Sequence, residues 1–195
     1  MTPRIERPTL MARLAAPLGR LAGDERGVSA VEFAMLLPLM LTLYLGAVEV
    51  SQGIGADRKV TLTARTIGDL VAQVSSISNS DMTNSLNAAA AVMTPYPTSN
   101  LKVTVSSVTI DSKGKATIAW SDTLNGTKRA VGSSVTLPSA LVVPTSSLIW
   151  SEVEYAYTPT IGYVVSGTIN LKDQIYMRPR LSECVTREGV TSTCT

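Results

Sequence analysis

The chain contains no histidine in 195 residues, and that absence removes much of the chemistry open to a protein of this size. Without imidazole there is no Ser-His-Asp triad and no Cys-His pair, and the commonest zinc ligand is missing. A Ser-Lys dyad or a carboxylate pair stays open in principle, but no spacing singles one out. No catalytic residue, cofactor or metal is therefore expected, and the reading is of a protein that is not an enzyme. Aromatic residues are scarce as well, nine with a single Phe. The 17 basic residues are spread along the chain and nearly balanced by 15 acidic ones, so no dense basic face exists for a phosphate backbone, and nucleic acid is not expected as a partner. Cysteine is limited to Cys184 and Cys194. These two either close a small C-terminal loop as a disulfide or remain free thiols, and an extracytoplasmic location, argued next, favours the disulfide. The length suits one modest folded domain plus an anchor.

Charge is also absent from one long stretch. Residues 1–27 carry Arg4, Arg7, Arg13, Arg20 and Arg26 against Glu6, Asp24 and Glu25, with Pro3, Pro8 and Pro17 interrupting any helix; they read as a basic cytoplasmic leader. From Phe33 to Val48 there is no charged residue. A helix over residues 28–50 spans about 35 Å at 1.5 Å per residue, enough for a hydrocarbon core of about 30 Å. An ordinary secretory signal would end in small residues of the A-x-A kind, whereas this run ends Gly46-Ala47-Val48-Glu49-Val50. The positive-inside rule puts the leader in the cytoplasm and the rest outside it, against the weaker pull of Arg58, Lys59 and Arg65 beyond the anchor. Glu49 reads as an interfacial charge marking the anchor's end. Glu32 lies inside the apolar segment, where an unpaired carboxylate is costly and requires a partner. Pro38 falls mid-helix, lacks the donor for the Ala34 carbonyl, and is expected to kink the anchor.

The segment Gly27-Val28-Ser29-Ala30-Val31-Glu32-Phe33 resembles the G-x-x-x-x-E-[FY] processing site of Tad/Flp prepilins. Ala34-Met35-Leu36-Leu37-Pro38 is similar to the A-x-x-L-P core of TadE-like proteins, and Gly46-Ala47-Val48-Glu49 to the G-x-x-E that closes their anchor. On these residues the chain resembles the TadE/TadG-like minor pilins, or pseudopilins. The resemblance implies that a prepilin peptidase cuts after Gly27 and that Val28 becomes the new N-terminus. Its amine would then pair with Glu32 in low dielectric, within one chain or between neighbours. It further implies a single-pass protein of the bacterial inner membrane, with its C-terminal domain periplasmic or displayed in a pilus. The implied partners are membrane lipid, other Tad/Flp pilins and the assembly platform, in a hetero-oligomer serving adhesion and biofilm formation. An uncleaved, TadG-like assembly accessory or adhesive module is the alternative.

Past the anchor, Val60, Ala64, Ile67, Val71 and Val74 recur at helical spacing. Residues 51–75 therefore read as an amphipathic stalk, which either emerges free or packs on its own domain. Residues 76–195 read as an extracytoplasmic α+β domain, with an antiparallel sheet packed on helices. Its expected parts are a short helix near Asp81–Met93, N-capped within Ser75–Ser80 and ended by Pro95 and Pro97, and a hairpin of Leu101–Ile110 and Lys115–Trp120 turning at Asp111-Ser112-Lys113-Gly114. Further strands are expected near Ser147–Tyr157 and Tyr163–Asn170, with a short one at Val135–Leu137. Trp120, Trp150, Tyr155 and Tyr157 read as core or cross-strand pairs rather than a glycan platform. Glu152 and Glu154 share one strand face and read as a like-charged, solvated surface.

Overall fold

A computed structural model of the chain describes residues 26–191; the leader up to residue 25 and Cys194 lie outside the described residues. The chain falls into two compact units that part between Ala47 and Val48. The first is the N-terminal part of helix α1 (Arg26–Ala72), a helix long and apolar enough to serve as a single-pass membrane anchor. Its large side chains, among them Phe33, Met35, Leu39, Met40 and Leu43, are exposed. The helix continues through Pro38, and Thr42 donates its hydroxyl to the Pro38 carbonyl at 2.9 Å.

The second unit is α+β. After the end of α1 come strand β1 (Ser76–Ile77), helix α2 (Asn79–Ala91), β2 (Leu101–Ile110), β3 (Ala116–Leu124), β4 (Ser134–Val135), β5 (Ser146–Tyr157), β6 (Ile169–Met177) and β7 (Thr186–Arg187). Helix α2 starts two residues earlier than the sequence suggests, because Ser78 is the N-cap and its hydroxyl accepts the Asp81 amide. Strands β2 to β6 form one antiparallel sheet in the order β4-β3-β2-β5-β6. The β2–β3 turn is built as expected: Asp111 Oδ1 accepts the amides of Lys113 and Lys115 at 2.8 Å each, and Gly114 takes the positive φ of 81° that an L side chain resists.

One face of the sheet lies against the helices. Ala56, Val60, Ala64, Ile67 and Val71 of α1 are fully buried in a cluster with Met82, Leu86 and Ala89 of α2 and with Val103, Val105, Trp120, Ile149, Val153, Tyr155 and Tyr157 of the strands. The amphipathic stripe beyond the anchor is thus core. Ser151 donates its hydroxyl to the Ala64 carbonyl at 2.8 Å, and at Gly68 an added Cβ would come within 3.1 Å of that same hydroxyl. A smaller cluster (Val108, Ile110, Ala116, Ile118, Leu137, Leu148 and Trp150) forms separately. The register shift between Ser107↔Trp120 and Val108↔Ile118 leaves Ala119 as an extra residue in β3. This bulge interrupts the alternation of β3, which is how Ile118 and Trp120, two positions apart, enter different clusters.

Two expectations are corrected. The strand placed at Tyr163–Asn170 is instead β6, beginning at Ile169, and residues 158–168 form a loop with Gly162 and Gly167 at positive φ. The face carrying Glu152 and Glu154 is charge-paired rather than like-charged: Arg129 grips Glu152 through Nε and Nη2 at 2.7–3.0 Å, and Lys172 reaches Glu154 at 2.6 Å. The aromatic residues are core and cross-strand pairs as expected: Trp150, in the smaller cluster, is stacked on its cross-strand neighbour Tyr176 at 5.5 Å, with the Arg129 guanidinium 3.9 Å above its ring.

Candidate functional site

Glu49 is where the sequence reading and the structure differ most. An interfacial charge marking the end of an anchor belongs in water, yet Glu49 is only 3% exposed. Its Oε1 accepts the Tyr163 amide at 2.7 Å, and its Oε2 accepts those of Val164 at 3.1 Å and Val165 at 2.7 Å. Three consecutive backbone donors thus converge on one carboxylate, an anion-binding nest whose anion the chain itself provides. The nest needs a sharp local turn, which Gly162 supplies at φ +64°. Apolar residues at 163–165 suggest a strand by pattern, but their amides are taken by Glu49 and cannot enter a ladder. No sequence signal links two segments 114 residues apart.

Tyr157 lies near Glu49 in a group of tyrosines. Tyr96 packs edge-on against Tyr155 and Tyr157, with ring centroids 6.4 and 6.2 Å apart, and donates its hydroxyl to the Gln52 carbonyl at 3.0 Å. Burial raises the Tyr157 phenol above its ordinary value, and the neighbouring Tyr96 and Glu49 push it the same way. Replacing Glu49 with alanine is expected to free the loop: the amides of residues 163–165 exchange faster with solvent by about 10- to 100-fold, while those of β2 and β5 keep their protection. Hydrogen exchange read by mass spectrometry on the detergent-solubilised chain checks this.

Gly27, Val28, Glu32 and Phe33 lie in the first unit. Glu32 is exposed and has no ion-pair or hydrogen-bond partner among the described residues. Among the described residues a Cβ built on Gly27 meets nothing within 4 Å, so their packing does not require glycine at this position. Cys184 is buried and disulfide-bonded; its expected partner Cys194 lies outside the described residues.

A site that sequence reasoning missed lies around Asp122. This carboxylate accepts Arg187 Nε at 2.6 Å, with both side chains under 10% exposed, and also Lys128 Nζ at 2.6 Å. Beside it Trp120 donates its indole N–H to the Val185 carbonyl at 2.7 Å, and β7 pairs in parallel with β1. Residues 184–188 are therefore stitched to strand β3 and to the segment that follows α1. This is structural anchoring, and it brings no reactive group to a cleft. Among the described residues no cluster of His, Cys, Asp or Glu is arranged to hold a metal ion.

Residues 27–68 match the TadE-like protein family. The match begins at Gly27 and lies wholly within α1, so the TadE-like segment takes in Glu32, Pro38, Glu49 and the buried stripe through Ile67, and ends at Gly68, which packs against Ser151 of the sheet. The sheet lies beyond it. No curated protein and no solved structure matches the chain.

Proposed function

We propose that the protein is a TadE-like minor pilin, a non-catalytic building or priming subunit of a Tad/Flp pilus. In this reading its leader is removed at the Gly27–Val28 bond, its helix anchors it in the inner membrane, and its α+β domain stands outside the cytoplasm. The match that starts at Gly27 carries the reading. The surroundings of Gly27 support it: a glycine that no contact among the described residues requires suits an external reader such as a prepilin peptidase. The exposed Glu32, held in an apolar helix without a partner among the described residues, suits pairing with the Val28 amine once that amine exists. Partners are other pilins and the assembly platform, and the pilus serves surface adhesion and biofilm formation.

N-terminal sequencing of the chain extracted from membranes of cells that contain the peptidase tests this. The expected sequence is Val28-Ser29-Ala30-Val31-Glu32, and finding Met1 or Thr2 instead overturns the pilin reading in favour of an uncleaved assembly accessory. A Glu32→Ala variant is expected to be cut normally and to fail in pilus assembly, scored by counting filaments under the electron microscope.

A further inference from the structure

The loop that Glu49 holds has an unusual surface. From Tyr155 to Leu171 the chain carries no charged residue. Within that stretch Ile161, Tyr163 and Val164 are 48%, 66% and 48% exposed, although apolar side chains on a loop in water gain nothing from exposure. Glu49 itself is the residue immediately after Val48, with which the charge-free run of α1 ends. The three amides that fix the loop therefore bind the first residue beyond the apolar run, and the loop's exposed apolar side chains are held at that level of the helix.

We propose that Ile161–Val165 is a second membrane contact, a loop seated in the headgroup region of the bilayer that α1 spans, with Ile161, Tyr163 and Val164 turned to lipid. This rests on the anchor reading of α1. The chemistry of the interface matches the loop in two respects. A tyrosine flanked by aliphatic residues is the composition that settles at the boundary between hydrocarbon and water. A non-helical segment approaching lipid also needs its backbone donors satisfied from within, and the Glu49 carboxylate takes up three consecutive N–H groups that would otherwise demand water. In return those amides neutralise a charge that would be costly beside hydrocarbon. Closing the loop's base, the hydroxyls of Thr158 and Thr168 lie 3.3 Å apart. Glu49 acts here as a positioning residue.

The test uses the full chain reconstituted in phosphatidylcholine–phosphatidylglycerol vesicles that carry nitroxide-labelled lipid, with the label either near the headgroup or at the end of the acyl chain. Tyr163→Trp reports the loop and Leu39→Trp the anchor, and the emission of the buried Trp120 and Trp150 is subtracted using the unsubstituted chain. The expected result is that the headgroup label quenches Trp at position 163 about twofold more than it quenches a water-exposed indole, while the deep label quenches Trp at position 39. Adding Glu49→Ala is expected to abolish the first signal and spare the second. If position 39 is quenched but position 163 responds only to aqueous iodide, the loop is not a membrane contact although the anchor stands. If neither is quenched by lipid label, the anchor reading fails and the inference with it. Shielding of position 163 from both lipid label and iodide, growing with the protein-to-lipid ratio, would assign the loop to a second copy of the chain and likewise overturn the proposal.

Discussion

Asp122→Ala is expected to cost the domain about 3–5 kcal/mol, the usual penalty for removing one partner of a buried ion pair. The loss arises less from the missing attraction than from what remains. The Arg187 guanidinium, 7% exposed, would be left in a protein interior with its counter-charge gone. Lys128 touches the same carboxylate, but its side chain is 60% exposed, so Lys128→Ala should cost under about 1 kcal/mol. The double variant Asp122→Ala/Arg187→Ala should recover part of the loss, since no charge is then stranded. Urea unfolding of the detergent-solubilised chain measures all three. Equal losses for the Asp122 and Lys128 variants would show that the pair with Arg187 does not hold the domain together.

A second large effect is expected at Ala64. This position is fully buried between α1 and the sheet, and its carbonyl accepts the Ser151 hydroxyl. Ala64→Asp would introduce both volume and an unpaired charge into a packed interior, with an expected loss of at least about 4 kcal/mol. Since small domains hold only about 5–15 kcal/mol in total, the variant should melt far below the parent or fail to accumulate. Arg65→Gln, one position along on the exposed side of the helix, should change stability by under about 0.5 kcal/mol. Thermal unfolding followed by circular dichroism separates the two, and equal melting temperatures would mean that the second half of α1 is not part of the core.

The parts of the molecule governed by local chemistry were legible in the sequence. The long apolar helix follows from the absence of charge between Phe33 and Val48, the buried stripe from the spacing of Val60, Ala64, Ile67 and Val71, and the first hairpin from Asp111 and Gly114 between two alternating runs. What escaped depends on partners distant in sequence. Val164 and Val165 suggest a strand until Glu49, more than a hundred positions earlier, takes their amides. Glu152 and Glu154 look like repelling neighbours until Arg129 and Lys172 arrive from a loop and an adjacent strand. The pairing of Ser76–Ile77 with Thr186–Arg187 has no signature, since two-residue strands have no periodicity to display. The candidate site divides in the same way. Gly27 and Glu32 are recognisable by their place at the start of an apolar run, whereas the meaning of Glu49 is visible only once the loop it binds has folded onto it.

The stitching of residues 184–188 back to β1 and β3 also bears on biogenesis. The chain emerges from its N-terminal side, and the helix, hairpin and long strand β5 are all available early. The Trp120 indole and the Asp122 carboxylate, by contrast, wait for Val185 and Arg187, some 65 positions later. Contacts so distant in sequence form late and leave intermediates open. Until those residues arrive, β3 holds a buried-type carboxylate and a large indole without their partners. A chain that stops before residue 184 would have its helices, hairpin and β5 yet lack the contacts that tie β3 to the C-terminal segment, so completion of the domain waits on the last residues made.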